Sequence, residues 1–387
     1  MKNRLRILIS AASVAIAVLL LSACAASGYS VYGGVPAFSD DILFSAKIIG
    51  GRADYAYKRM KTAIDGINAQ VSATRADSDI ARLNAAAAGE RVRVGSHTYA
   101  LFNLALEYYE LTDGAFNCAV TPLARLWRVD PDSIAELRPE LGGDAVTDVE
   151  LPSAEQTRQT LAYCDPRTVT ASESNGEYYL TKSDGRTMLD FGGVAKGYAV
   201  DICADILDCY DISSALIDIS GNAYFYGRYI DGGNAADWNV GVLAPRPRQT
   251  AERGYVIAFS EEGDASAVTS GDYMRYYTAA VGGETLYVQH IIGTDGVPVG
   301  VELSDGGWRN TEEWVTSATV IGESSALCDA LATAVCVLGA EDGGRLLKKV
   351  GYKGLIFTEK RYTIIGNVPL YKPDIYNGYT AYGRYEL

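Results

Sequence analysis

Thr187-Met188-Leu189-Asp190-Phe191-Gly192-Gly193-Val194-Ala195-Lys196-Gly197-Tyr198 is where this 387-residue chain changes character. The apolar approach from Thr187 to Leu189 enters a glycine turn, and Ala199 to Leu207 continues with apolar residues at helical spacing. The stretch therefore reads as strand, tight turn and helix N-terminus. Gly192, Gly193 and Gly197 carry no side chain to hold a ligand off the backbone. Free N–H groups at a helix start favour anions, phosphates especially, and Lys196 adds a compact positive charge at the same place. The glycine spacing fits neither a Walker A loop nor the dinucleotide fingerprint. Two readings stay open from the stretch alone: an anion site, or an ordinary strand-to-helix turn with a surface lysine.

On its N-terminal side the chain reads mainly as helices. Ala56, Met60, Ala63, Ile64, Ile67 and Val71 recur at helical spacing within Tyr55 to Val71, with further helices over Ser78 to Ala88, Thr98 to Thr112 and Pro152 to Tyr163. From Thr168 onward short β runs dominate, among them Ala215 to Ser220, Ala223 to Tyr229, Trp238 to Leu243, Gly254 to Ser260, Ala265 to Ser270, Arg275 to Thr278 and Val315 to Ile321. Ala326 to Leu338 and Gly343 to Val350 read as helices, and Leu355 to Ile365 as strand or hairpin. Helices partly segregate from strands, which is the pattern of an α+β fold, a mixed β-sheet core with flanking helices, rather than a doubly wound sheet.

The chain opens with Lys2, Arg4 and Arg6, followed by an apolar run from Ile7 to Leu21. That is the pattern of a secretory signal peptide over residues 1–23. Leu21-Ser22-Ala23-Cys24 resembles the bacterial lipobox, which implies a lipidated Cys24 and a protein anchored to the cell membrane on its extracytoplasmic face. Residues 24–40 lack periodicity and read as a tether, residues 41–366 as one catalytic domain, and residues 367–387 as a tyrosine-rich tail. No later stretch is apolar for long enough to cross a bilayer.

A net charge of −14 argues against a nucleic-acid partner, whose phosphates need a basic surface. His97 and His290 are the two histidines, too few for a His-rich zinc site. The six cysteines after Cys24 lack CxxC spacing and sit mostly in apolar runs, where a buried thiol is expected. A second cluster lies in Ser325 to Thr333, where Asp329 and Thr333 stand four apart and so share one helix face. Hard oxygen donors of this kind suit magnesium completed by substrate phosphates. The alternative is a partly exposed aspartate beside a threonine bonded back to its own helix. A third cluster is Thr269-Ser270-Gly271-Asp272-Tyr273, followed by Gln289-His290-Ile291-Ile292. His290 is a candidate general base near neutral pH.

Taken together, Ser78 to Asn84, Gly114-Ala115-Phe116-Asn117, Asp190 to Asp201, Ser220-Gly221-Asn222, Ser270 to Tyr273, His290-Ile291-Ile292 and Asp329 to Thr333 resemble, in order, the motifs of the ApbE family, the FAD:protein FMN transferases. The resemblance runs from about Tyr55 to Leu347 and implies the family's T-fold-related architecture. It implies that Ala115, Phe116, Asn117, Asp190, Lys196 and Ile291 lie along FAD, the substrate. It further implies that Gly193, through its carbonyl, and the side chains of Asp329 and Thr333 hold Mg2+, with Ala332 beside it, and that His290 is the base. The implied reaction transfers FMN to a threonine of an exported acceptor protein and releases AMP. The same pocket would serve an FAD pyrophosphatase yielding FMN and AMP, or a non-catalytic FAD-binding lipoprotein. Asn117 stands where the family carries aspartate, Gly293-Thr294 replaces its usual Asp-Pro, and Val301 to Glu313 reads as an insertion.

Overall fold

The computed structural model describes residues 29–39, 42–137, 146–147, 149–245, 255–359 and 361–372. The expected signal peptide, Cys24 and the tail beyond residue 372 lie outside them. Eight strands form the main sheet: β1 (Ser30–Ser39), β2 (Ile42–Gly50), β3 (Ile212–Ile219), β4 (Asn222–Tyr226), β5 (Ala265–Gly271), β6 (Ser317–Gly322), β7 (Lys353–Phe357) and β8 (Tyr362–Ile365). They lie side by side in chain order, and every neighbouring pair is antiparallel.

Alternation along the strands gives the sheet two apolar faces. Ala215, Ile217, Ile219, Val268, Ala318, Val320 and Ile356 point to one side, where they join the apolar faces of the helices. The helices on that side are α1 (Ala53–Val71), α2 (Asp79–Ala85), α3 (Ser96–Leu111), α7 (Ala195–Asp208) and α8 (Ser325–Val350); α4 (Thr121–Leu126), α5 (Pro131–Leu137) and α6 (Ala154–Leu161) lie apart from them. Leu216, Phe225, Ala267, Ile321, Leu355 and Phe357 point the other way, against a small antiparallel sheet of Trp238–Leu243, Tyr255–Glu261 and Leu370–Lys372. Each fully buried Ile, Leu or Phe on these faces contributes about 1.5–3 kcal/mol relative to an exposed position. A third apolar cluster, around Leu123, Trp127, Tyr277, Val288 and Trp308, joins α4 to the hairpin Tyr276–Val281/Glu284–Gln289 and to the hairpin Val301–Ser304/Gly307–Asn310.

The architecture is the α+β arrangement expected, with a largely antiparallel sheet and flanking helices. Three local readings change. Residues 30–39, expected within a tether, form the edge strand β1; its bulge after Tyr32, at Gly33-Gly34, breaks the alternation that would have marked a strand. The start of the expected tail is a strand too, because Leu370–Lys372 pairs with Tyr255–Glu261. The approach from Thr187 to Leu189, read as a strand, is not in one. There Leu189 bonds through both its N–H and its carbonyl to the side chain of Asn84, so a side-chain amide replaces a neighbouring strand.

Helix α8 has non-helical backbone at Gly339, with φ 82° and ψ 174°, which breaks it into the two helices read from the sequence. Cys118, Cys164, Cys203, Cys328 and Cys336 are buried free thiols, as expected, and Cys209 is exposed.

Candidate functional site

The site forms where the N-terminal ends of α7 and α8 pack together. Gly197 stands at the third position of α7, where the backbone N–H has no partner within its own helix. That N–H donates to Asp329 Oδ2 of α8 at 3.1 Å. In return Asp201 of α7 receives Ser325 N–H at 2.6 Å and Ala326 N–H at 3.0 Å from the first turn of α8, together with the Ser324 hydroxyl at 2.9 Å. Each helix thus presents a carboxylate to the other's positive N-terminal end. Burial pushes the Asp201 carboxyl up, and the three donors pull it back.

The approach is close because residue 197 is glycine. A Cβ there would stand 2.3 Å from the Ser325 carbonyl oxygen and 2.7 Å from Ala326 Cα, distances no side chain tolerates. This places Lys196 against Asp329, with its Nζ 3.4 Å from both carboxylate oxygens. Lys196 Nζ also donates to the Gly192 carbonyl at 3.1 Å, which folds it back over the turn. Asp329 is 2 % exposed, so its charge is taken from water and needs these partners.

Thr333 lies one turn further along α8, donating from Oγ1 to the Asp329 carbonyl at 3.3 Å. Its hydroxyl also lies 3.3 Å from Ser270 Oγ at the end of β5. Gly193 faces it across a gap: a Cβ at 193 would stand 3.5 Å from Thr333 Oγ1 and 3.3 Å from the Phe116 ring. Glycine keeps that space clear. Asp190 Oδ1 accepts from Gly192 N–H at 2.7 Å, and Asp190 N–H donates to the Cys118 carbonyl at 2.8 Å. The turn is therefore fixed from both sides before any ligand arrives.

His290 enters from the end of the strand Glu284–Gln289. Its Nδ1 lies 3.1 Å from the Arg275 carbonyl, and its N–H donates to the same oxygen. A carbonyl only accepts, so Nδ1 carries the proton and Nε2 keeps its lone pair. Burial holds His290 well below the usual histidine range, and the positive charges of Arg275 and Lys196 act in the same direction. The ring is therefore a neutral base at physiological pH.

The residues singled out from the sequence divide in their roles. Gly193, Lys196, Asp329 and Thr333 converge, Phe116 walls the gap, and Asp190 holds the turn through Gly192 N–H. Ala115 is buried beside Phe116. Asn117 commits Nδ2 to the Cys164 carbonyl at 2.8 Å and Oδ1 to Ala119 N–H at 2.8 Å, which fastens the turn. Ile291 is buried, its N–H bonded to Gln289 Oε1 and its carbonyl to Val299 N–H, so its backbone groups are already paired. His97 bonds Tyr198 and takes no part in the site. Sequence reading took Gly197 as backbone open to a ligand, whereas α8 fills that space and takes its N–H through Asp329; the Ser270 hydroxyl and the Asp201 cap were missed. Ser270 and Asp201 fell inside quoted motifs, but only the packing of α7 on α8 shows what they touch.

Asp329, Thr333 and the Gly193 backbone offer hard oxygen donors. No group of three or more His, Cys, Asp or Glu comes together among the described residues. A divalent ion here would draw on one carboxylate, neutral oxygens and ligand phosphates, the arrangement magnesium favours. Gly193 keeps a Cβ out of the space between its backbone and Thr333 Oγ1.

Comparison with known proteins places these features in a family. The model of the ApbE family matches residues 41–356. An FAD:protein FMN transferase of Treponema pallidum is 32% identical over 302 residues, covering 75% of this chain and 74% of that protein. One of Vibrio cholerae is 29% identical over 291 residues, covering 74% of this chain and 75% of its own. Among solved structures, the ApbE protein of Thermotoga maritima shares the fold with a TM-score of 0.67 at 24% identity, over 86% of this chain and 94% of that one.

Proposed function

The chain belongs to the ApbE family, and on that premise we propose that it is an FAD:protein FMN transferase whose site lies at the α7–α8 junction. The observation that carries the assignment of the site is the buried Asp329 carboxylate, held by Gly197 N–H and Lys196 opposite the gap that Gly193 keeps clear. In the proposed reaction the hydroxyl oxygen of an acceptor threonine attacks the FMN-side phosphorus of FAD. A phosphoester bond forms, the bond to the bridging oxygen breaks, and AMP leaves.

His290 Nε2 takes the threonine proton, since its lone pair is free while Nδ1 is committed to Arg275. Lys196 exchanges part of its contact with Asp329 for the pyrophosphate oxygens, where negative charge grows as the phosphoryl group transfers. Asp329, Thr333 and the Gly193 carbonyl are the residues that would hold magnesium, which when bound would neutralise pyrophosphate charge. Phe116 stands against Gly193, and with Asp190, which holds the turn through Gly192 N–H, it would line the flavin side of the substrate. We further propose that Cys24 is lipidated and that the enzyme acts on the extracytoplasmic face of the membrane, on the strength of the charged start, apolar run and lipobox-like sequence before it.

The test is incubation with FAD, magnesium and a threonine-bearing acceptor peptide, scored by mass. Covalent FMN on the peptide, lost with a chelator and restored by magnesium, is the expected result. FMN and AMP free in solution, with the peptide unmodified, would convert the reading to a pyrophosphatase. Folded protein that binds FAD and leaves it intact would remove both. Asp329→Asn keeps an acceptor for Gly197 N–H but removes the charge. It should lower AMP release by about 10³-fold or more, as loss of charge stabilisation at a phosphoryl site does.

A further inference from the structure

We infer that the exposed face of α1 rests on the anionic lipid surface to which Cys24 tethers the chain, an inference that depends on the lipid-anchor reading. The helix buries Ala53, Ala56, Met60, Ile64, Ile67 and Val71 against the sheet. At 100° per residue the opposite arc carries Arg52 at the N-cap, then Tyr55, Lys58, Arg59 and Thr62, all exposed. Tyr55 is 65% exposed, the most exposed large hydrophobic side chain among the described residues, and the Arg52 guanidinium lies 5.8 Å from its ring centre.

The cations on this arc are available. Arg52, Lys58 and Arg59 enter no ion pair among the described residues. Of the acids near them, Asp65 pairs with Lys61, and Asp54 accepts from the Tyr32 hydroxyl, which leaves its charge in place. Asp211 lies beyond the helix start, beside Gly51. A chain of net charge −14 is repelled as a whole by an anionic surface, so the face that approaches is one that keeps an excess of positive charge, as here, where Arg52, Lys58, Arg59 and Lys61 outnumber Asp54 and Asp65. An aromatic ring flanked by long cationic side chains is also the composition that settles at the lipid headgroup level.

Chain length puts this face within reach. Four residues lie between Cys24 and Tyr29, and the five steps from one to the other span at most about 18 Å at full extension. Tyr29 leads directly into β1, whose Ser30 pairs with Ile48 of β2. Gly50 ends that strand and Arg52 caps α1. The point where the tether meets the fold and the cationic arc therefore lie at the same end of the molecule.

The test uses the lipidated full chain reconstituted in vesicles of phosphatidylcholine with or without phosphatidylglycerol. A nitroxide is attached through Thr62→Cys in a Cys209→Ser background, with a second label at exposed Leu303→Cys as the distant control. Relaxation by a headgroup-anchored nickel chelate reads distance to the surface. With phosphatidylglycerol, the label at 62 should relax several-fold more than the label at 303. The excess should vanish in about 0.5 M NaCl and in Arg52→Glu/Lys58→Glu/Arg59→Glu, because each cation at such a surface is worth about fivefold in partitioning. FAD turnover by the triple variant checks that it is folded. Protein that fails to float with vesicles would refute the anchor and this inference with it. Protein that floats, yet relaxes equally at 62 and 303, would refute the inference alone.

Discussion

Replacing Gly197 with alanine tests the geometry on which the site depends. The added Cβ would meet Ser325 O at 2.3 Å, Ser325 C at 2.6 Å and Ala326 Cα at 2.7 Å. These are backbone atoms of α8's first turn, so no side chain can swing aside. Restoring ordinary contact distance requires about 1 Å of separation between the helices, and overpacking of that kind costs about 1–3 kcal/mol. The same displacement stretches the Gly197 N–H contact to Asp329, now 3.1 Å, and moves the carboxylate away from Gly193 and Lys196. A misplacement of that size costs about 10²-fold in rate. Chemical denaturation and AMP release measured on the same preparation supply both numbers. Gly66→Ala is the control, because a Cβ there meets nothing within 4 Å in the middle of α1. It should gain up to about 1 kcal/mol with turnover unchanged. If Gly197→Ala unfolds within about 0.5 kcal/mol of the parent and keeps its turnover, the close helix contact does not position Asp329.

Three further outcomes follow from buried polar groups. His290 is held below its usual range by burial and by nearby positive charge, so its neutral form persists below pH 6.5. The acidic limb of kcat/KM should accordingly fall below that pH, and His290→Ala should lose this limb together with about 10²–10⁴-fold in transfer. Burial raises Asp218 to about 7, opposed by its bond from Gly221 N–H. A raised carboxyl favours the protonated folded state, so its stabilising contribution is complete below about pH 4 and is lost as pH rises through 7. Asp218→Asn should therefore raise stability at pH 8 by about 2–4 kcal/mol relative to the change at pH 4, read by denaturant titration at both. Lys182 is buried and donates to the carbonyls of Asn84, Gly185 and Thr187 at 2.9, 2.9 and 3.0 Å. Lys182→Met leaves three carbonyls without this donor and should cost about 3–5 kcal/mol, visible as a lowered denaturation midpoint.

The sequence showed more of the site's chemistry than of its geometry. Asp329 and Thr333 could be placed on one helical face because helical periodicity is a local property. The glycines around Lys196 announced a turn open to ligand, since the absence of a side chain is visible without a fold, but at Gly197 the backbone of α8 fills that space. Edge strand β1 was not legible. Its backbone hydrogen bonds go to β2, which follows it, but its residues bury little and its bulge breaks the alternation. Asn117 could be picked out by its motif position, but only packing shows that its amide also fastens the turn, through the Cys164 carbonyl and Ala119 N–H.

By itself, then, the sequence determined the α+β class, the two helices that carry the charged groups and the residue types able to meet a pyrophosphate, because each of these rests on short-range pattern. Only the tertiary structure decided that α7 and α8 cap one another through Asp201 and Asp329, and that Gly197 lets them approach closely enough for Lys196 to face Asp329. Those contacts join residues more than 120 positions apart. They depend on how two helices seat against one side of the sheet, a matter of shape and distance that no local spacing records.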